Sequence, residues 1–359
     1  MMNGARPLLE IKDLSVHFSV YGGKLRVLDG VNFHMYPGEK VGLVGETGCG
    51  KTTTMKAILR VLPSPPASIP HGEIFFDGQN IMRMKEDVLM QVRGQGISMI
   101  FQDPTAALNP VFSIGEQFEA VIKYSASPGT TLSRQEIHQQ AIRSLQEVAL
   151  ADPDRLLRSY PIQLSGGMRQ RVCIGMALAT NPKLLIADEP GTSLDVTIQD
   201  QVLRLLRGLV EQHNTSVILI THSLGIVRET TNRVYVMYAG NMVETAPTEK
   251  LFAQPLHPYT QGLISTVPRL TGGGIASGIP GHIPDYRNPP SGCRFHPRCP
   301  HVMDICRKEK PPAFQIDTEH AVACFLYDKP PSDGHPTRLG VYPDATQNDR
   351  ESNKETRLQ

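Results

Sequence analysis

The sequence contains no tryptophan, and aromatic side chains make up only 6% of its 359 residues. A surface that stacks nucleic-acid bases needs such side chains, so that class of function has little to build on. Charge of one sign is also lacking: 36 lysines and arginines stand against 35 aspartates and glutamates, a formal net charge of +1. The balance leaves no basic footprint for nucleic acid. No apolar run approaches the roughly 20 residues that cross a bilayer. The opening MMNGARPLLEIKDL has no long apolar segment of the kind a secretory signal carries, so we expect a cytosolic protein that meets membranes only by docking on a membrane protein. No Cys-x-x-Cys pair occurs among the six cysteines; in a reducing compartment these serve as thiols or metal ligands more readily than as disulfides. We find no internal repeat.

The chain is long enough for two or three folding units. Residues 9–18, LEIKDLSVHF, alternate apolar and polar as a half-buried strand does. EKVGLVG (39–45) is a short apolar run entering a glycine-rich turn, and KTTTMKAILRVL after it suits a helix. KLLIAD (183–188) and TSVILIT (215–221) are apolar throughout, as buried parallel strands are, with the helical pattern VTIQDQVLRLLRGLVEQ between them. This alternation predicts an α/β fold with a mainly parallel sheet. Residues 104–165 read as a helical insertion, with Ser133 as N-cap before Glu136. Beyond about residue 255 proline and glycine rise, marking a loop-rich module over 256–330. Residues 331–359 are polar, and we expect them to be disordered.

GETGCGKT (45–52) fits G-x-x-x-x-G-K-[ST] between a strand and a helix, the context in which that pattern binds phosphate. Gly45, Gly48 and Gly50 permit backbone conformations closed to other residues. The N–H groups of Glu46, Thr47, Cys49 and their neighbours then face inward and, with the helix start at Lys51, Thr52 and Thr53, form an anion cradle. Lys51 can reach the β- and γ-phosphates, and the Thr52 hydroxyl can ligate Mg²⁺. Cys49 contributes mainly its backbone; a helix N-terminus would also lower its thiol pKa and make it sensitive to alkylation. LLIADEP (184–190) is an apolar strand ending in two acids: Asp188 can hold Mg²⁺ through its water shell, and Glu189 can polarise an attacking water. LSGGMRQR (164–171) opens a helix with Ser165, Gly166 and Gly167, a second helix N-terminus suited to an anion; an ordinary capped start would explain Ser165 but not the paired glycines. Gln102 and His222 each follow a candidate parallel strand, at the ends where α/β ligand sites lie.

Cys293, Cys299, Cys306 and Cys324 are spaced C-x5-C-x6-C-x17-C. Structural zinc favours pairs with two to four intervening residues, whereas four thiolates on a loop-rich segment can also cage an iron–sulfur cluster. Spacing leaves zinc and iron–sulfur both open, with free thiols a third reading. His296 and His301 read as surface residues, since four cysteines already complete a site. The cluster is either a redox centre or a structural staple for a segment poor in apolar residues, and the staple is the simpler reading.

The order of these motifs resembles the nucleotide-binding subunits of ABC transporters: P-loop at 45–52, Q-loop Gln102, signature 164–168, Walker B 184–189, D-loop 193–195 and switch His222. The resemblance spans nearly the whole chain. It implies an ABC-type P-loop NTPase with a RecA-like core, an N-terminal antiparallel β region and a helical insertion (residues 1–255), plus the small loop-rich module that carries the four cysteines. It further implies ATP and Mg²⁺ as ligands, with Gln102 joining Thr52 and Asp188 around the metal. Glu189, His222 and Gln102 would be the catalytic groups, and Phe18 the aromatic on adenine, with Tyr21 second. Two subunits would sandwich two ATP molecules, so that Ser165, Gly166 and Gly167 complete the partner's site and Asp195 links the two. FQDPTAALNP (101–110), HPYTQGL (257–263) and CRFHPRCP (293–300) are similar to the dipeptide, oligopeptide and nickel permease branch, and specifically to its D-type ATPases. That branch implies a [4Fe–4S] cluster on the four cysteines, with zinc as the alternative. It also implies an F-type ATPase partner, two transmembrane permease subunits and an extracytoplasmic binding protein, at the cytoplasmic face of the inner membrane. Nickel or another small solute is the alternative cargo, and a soluble ABC ATPase or a redox sensor with a vestigial cassette are the readings from other classes. Two departures stand out: Gly191 where the branch has Thr, and Ser223 where Asp follows the switch His.

Overall fold

The alternation at residues 9–18 becomes β1 (Leu9–Val20), which pairs antiparallel with β2 (Gly23–Met35) and β4 (Ala67–Phe76), the last continued by β5 (Gln79–Asn80). The alternation slips at Asp13, whose φ is 48°. The slip keeps Leu14 and Val16 buried alongside Leu9 and Ile11, although the spacing from Ile11 to Leu14 is odd. A computed structural model of the chain describes residues 6–126, 129–192, 194–266, 278–328 and 338–339.

The second sheet holds the parallel strands β3 (Lys40–Val44), β6 (Ile97–Ile100), β7 (Leu184–Asp188), β8 (Ser216–Ile220) and β9 (Arg233–Tyr238) in the order β9-β3-β8-β7-β6. β7 and β8 are buried at every position, which is why they read as unbroken apolar runs. Antiparallel strands extend the β9 edge: β10 (Asn241–Pro247), β12 (Ala321–Val322), β11 (Ala313–Gln315) and β13 (Arg338–Leu339). The predicted disorder of 331–359 thus lies outside the described residues except at Arg338 and Leu339, which pair with Ala313 and Phe314.

Between β6 and β7 the chain is helical: Pro104–Ala107, Ile114–Ser125, Arg134–Glu147, Pro153–Arg158 and Gly166–Leu178. Ser133 does cap its helix, closing a capping box with Glu136, and Ser113 does the same with Glu116. Phe118, Ile122, Leu145, Leu157 and Val172 from these helices form one core with Leu185, Ala187 and Leu219 of the sheet. Among the described residues no helix is long and apolar enough to cross a membrane.

Phe118 is fully buried where these helices meet. Phe118→Ala should destabilise the protein by about 3–5 kcal/mol. Urea unfolding followed by far-UV circular dichroism measures this, the chain having no tryptophan to report by fluorescence.

Candidate functional site

The P-loop connects β3 to helix Lys51–Ile58, and its glycines have the positive φ that the pattern demands: 151° at Gly45, 83° at Gly48 and 111° at Gly50. At Gly45 a Cβ would lie 2.1 Å from the Met237 carbonyl oxygen of β9, and at Gly50 it would lie 2.7 Å from the Leu28 side chain of β2. The loop is therefore pinned between the two sheets. Lys51 is only 5% exposed, and its ammonium donates to the carbonyls of Gly45 (2.7 Å) and Glu46 (3.0 Å). Thr47 and Gly48 are exposed at the mouth, and Thr53 is half-buried. The expected reactivity of Cys49 is not supported. Its side chain is fully buried, and burial pushes the thiol pKa up against the smaller opposing pull of Lys51. The helix start cannot overcome that desolvation.

Asp188, at the end of β7, is 3% exposed, with the Thr52 side chain close enough to stabilise its carboxylate. Burial raises its pKa, partly offset by Thr52, Lys51 and Lys56. A hydroxyl and a carboxylate held together supply the hard oxygen donors that suit Mg²⁺.

Glu189 follows with φ of 47°, a strained backbone for a non-glycine residue. Its N–H donates to the Ile220 carbonyl of β8 (2.8 Å), and its own carbonyl accepts from Gly191 (2.7 Å) and Thr192 (3.2 Å). Three groups converge on the single carboxylate oxygen Oε2: the Gln102 amide donates at 3.0 Å, the Thr192 hydroxyl donates at 3.0 Å, and His222 Nδ1 lies 3.6 Å away. Gln102 and His222, 120 residues apart in sequence, thus meet at one carboxylate, as their places after β6 and β8 predict. Thr192 is not legible as a site residue in the sequence; a threonine in a turn carries no signal until the turn's path is known. At Gly191, a Cβ would press the Gln199 side chain at 2.6 Å, a flexible group that can give way.

Ser165 caps helix Gly166–Leu178, accepting from the Met168 N–H at 3.3 Å. The paired glycines have a local cause as well: a Cβ at Gly167 would lie 2.9 Å from Ile198, and one at Gly166 would lie 3.4 Å from Leu194. Asp195 caps the helix Val196–Gln212, accepting from Ile198 N–H at 3.0 Å. Ser193 lies outside the described residues. Phe18 sits on β1, partly buried against the core, and Tyr21 projects fully exposed from the β1–β2 turn.

The C-terminal module is fastened to the sheet by Glu244, 2% exposed on β10, which accepts from the N–H groups of Leu256 (2.8 Å) and His257 (2.9 Å) and lies 2.8 Å from His320 Nε2. His257 in turn caps the helix Pro258–Ser265 through the Tyr259 N–H (3.0 Å), which accounts for the stretch HPYTQGL. Cys293, Cys299, Cys306 and Cys324 line one recess, with Phe295 and Phe325 among its walls. The Cys293 N–H donates to the Cys306 carbonyl at 2.9 Å, closing the loop that carries three of them. All six cysteines are free. Burial pushes the Cys293 and Cys324 thiols up to about 11. His296 and His301 also line the recess; His301 is exposed as expected, but His296 is half-buried, its Nδ1 3.0 Å from the Cys293 carbonyl. Among the described residues no three His, Cys, Asp or Glu side chains gather tightly enough for a single metal ion.

A parallel sheet carrying a P-loop, with paired acids at the end of the strand two places away and an inserted helical block, defines an ATP-binding cassette ATPase. The ABC transporter family model matches residues 28–192, and the model for the oligopeptide/dipeptide transporter C-terminal region matches 243–306. The oligopeptide transport ATP-binding protein OppD of Bacillus subtilis is 44% identical over 89% of this chain and 88% of its own. The dipeptide transport ATP-binding protein DppD of the same organism is 42% identical over 90% and 95%. The ATP-binding cassette MJ0796, solved as a dimer in a post-hydrolysis state with ADP and Pi, superposes with a TM-score of 0.59 at 26% identity over 67% of this chain and 98% of that one. The chain belongs to the ABC transporter ATP-binding subunits that carry the oligopeptide/dipeptide C-terminal region, and so to the ATPases that power such transporters.

A carboxyl whose folded-state pKa is raised contributes most favourably below its unfolded value, 3.8 for Asp188, and that contribution is lost as pH rises through the folded value. Asp188→Asn, which cannot ionise, should therefore melt higher than the wild-type chain at about pH 7 in the absence of Mg²⁺, an advantage that disappears below about pH 4. Thermal scans of both proteins at the two pH values check this.

Proposed function

We propose that this chain hydrolyses ATP to drive import of di- or oligopeptides, as a peripheral subunit at the cytoplasmic face of the cell membrane. Residues 1–255 form the nucleotide-binding unit, with the helical insert at about 104–165, and 256–330 form the accessory module. The observation that carries the reading is the convergence of Gln102, Thr192 and His222 on one oxygen of Glu189, beside the Thr52–Asp188 pair. The peptide cargo is supported by the names of the relatives. Transmembrane permease subunits, a second ATPase subunit of the F type and an extracytoplasmic binding protein complete the assembly.

In this reading the P-loop N–H groups and Lys51 bind the phosphates, Lys51 exchanging its carbonyl partners for phosphate oxygens. Thr52 and Asp188, with Gln102, would hold Mg²⁺, which neutralises charge on the phosphates when bound. Glu189, oriented by Gln102 and Thr192 through Oε2, keeps Oε1 for the attacking water and takes its proton. His222 adds a donor toward the γ-phosphate. Phe18 stacks on adenine. Ser165, Gly166 and Gly167 face the nucleotide of the partner subunit, with Asp195 beside the shared boundary.

The four-cysteine recess is read as a [4Fe–4S] site held by Cys293, Cys299, Cys306 and Cys324. Its support is the likeness of CRFHPRCP to the peptide permease branch, together with the four cysteines lining one recess. Bound there, the cluster would cross-link the module; no step of the ATPase cycle requires it.

Glu189→Gln should lower turnover at least about a hundredfold while Mg-ATP affinity is kept; ordinary ATPase activity in that variant would remove Glu189 as the base. Anaerobically purified protein should be brown and contain iron and acid-labile sulfide, whereas a colourless chain with one zinc would reverse the cluster assignment.

A further inference from the structure

The P-loop carries an acid, Glu46, where it has to receive a polyanion. A carboxylate close to bound phosphates opposes them unless its charge is offset. The offset comes from 252 residues away: Arg298 Nη1 lies 3.0 Å from both Oε1 and Oε2 of Glu46, with the arginine 6% and the glutamate 27% exposed. The guanidinium is itself fixed, donating from Nε to the Pro280 carbonyl (2.8 Å), from Nη2 to Ile279 (3.1 Å) and from Nη1 to the Tyr238 hydroxyl (3.3 Å). Two tyrosines grip the same loop. The Tyr259 hydroxyl accepts from the Glu46 N–H at 2.8 Å, and the Tyr286 hydroxyl donates to the Gly48 carbonyl at 2.8 Å. Arg298, Tyr259 and Tyr286 all come from the C-terminal module, and Arg298 immediately precedes Cys299.

We propose that Arg298 is a positioning residue for nucleotide binding: it neutralises Glu46 and holds the carboxylate away from the phosphate cradle, so that the C-terminal module sets the affinity of the P-loop for ATP. Arg298 touches no phosphate. It acts through Glu46, and its effect is one of charge.

The test is titration of the full-length chain with a fluorescent ATP analogue and Mg²⁺. Arg298→Ala should weaken binding about fivefold, the scale of one partly screened charge near the phosphates, and the loss should shrink as salt is raised. Adding Glu46→Gln to Arg298→Ala should recover most of the lost affinity, because the uncompensated carboxylate is then gone. A purely structural arginine predicts no such rescue. Should Arg298→Ala fold poorly, Arg298→Gln and Arg298→Lys serve instead. Glutamine keeps a donor for the Ile279 and Pro280 carbonyls but no charge and should bind as weakly as alanine, whereas lysine keeps the charge and should bind within about twofold of the wild type. Equal affinities of wild type and Arg298→Ala, or a double variant no better than the single, overturn the inference. It rests on the ATP site itself; a wild-type chain that fails to bind the analogue overturns that reading first.

Discussion

A phosphate cradle made of backbone N–H groups works only if the chain can turn inside the radius of the anion, and here that turn is made where there is no room for a single methyl group. Gly45 is closed in by the Met237 carbonyl of β9, and Gly50 by Leu28 of β2. These strands belong to different sheets, so the P-loop sits at their seam. Neither sheet can move against the other without deforming the loop. Gly240 adds to the constraint: a Cβ there would lie 2.0 Å from the Val27 carbonyl, and its N–H donates to the Cys49 carbonyl at 2.8 Å. The rest of the nucleotide site follows from strand order. Because β7 lies between β6 and β8, the glutamine after β6 and the histidine after β8 arrive at the carboxylate that follows β7.

This explains what could be read in advance. Buried parallel strands, capped helices and the P-loop are local patterns, and each appears where its residues predict. Gln102, Glu189 and His222 are legible because a strand's end is a local property and α/β sites collect at strand ends. Their grouping is an inference from topology, and β6, β7 and β8 supply that topology. What the sequence hides depends on distance in space alone. Thr192 looks like any turn threonine until the path from Glu189 is known. Cys49 looks reactive because a helix start is visible in sequence and burial is not. Gly167 looks reserved for an anion, yet Ile198 already leaves it no space for a side chain.

The C-terminal module shows the same division. Its cysteines and prolines suggest a segment with too little apolar content to hold itself together. In the fold it shares a core instead: Tyr238 of β9, Tyr259 and Phe295 pack tilted or edge-to-face with ring centroids 4.7–5.5 Å apart, and Leu263, Ile264, Ile279, Cys293 and Cys299 pack around that cluster. Aromatic contacts of this kind add about 0.5–1.5 kcal/mol each beyond burial. The module's cohesion therefore comes from packing, and the cysteines bound one short stretch within it. Cys293 and Cys299 bracket Arg294 and Arg298; Arg294 donates to the Ala239 carbonyl (2.5 Å) and the Arg26 carbonyl (3.1 Å) at the seam of the sheets, and Arg298 pairs with the P-loop.

Two arginines within a cysteine-bracketed stretch thus reach the same junction that the glycines keep clear. Each is largely buried, so each had to shed water, and such a charge is tolerable only with its partners in place. If the stretch lost its path, Arg294 and Arg298 would be left with unsatisfied donors, and Glu46 would face the phosphate cradle alone. The ordering of the module and the ordering of the P-loop are for this reason a single problem, decided along the stretch from Arg294 to Arg298.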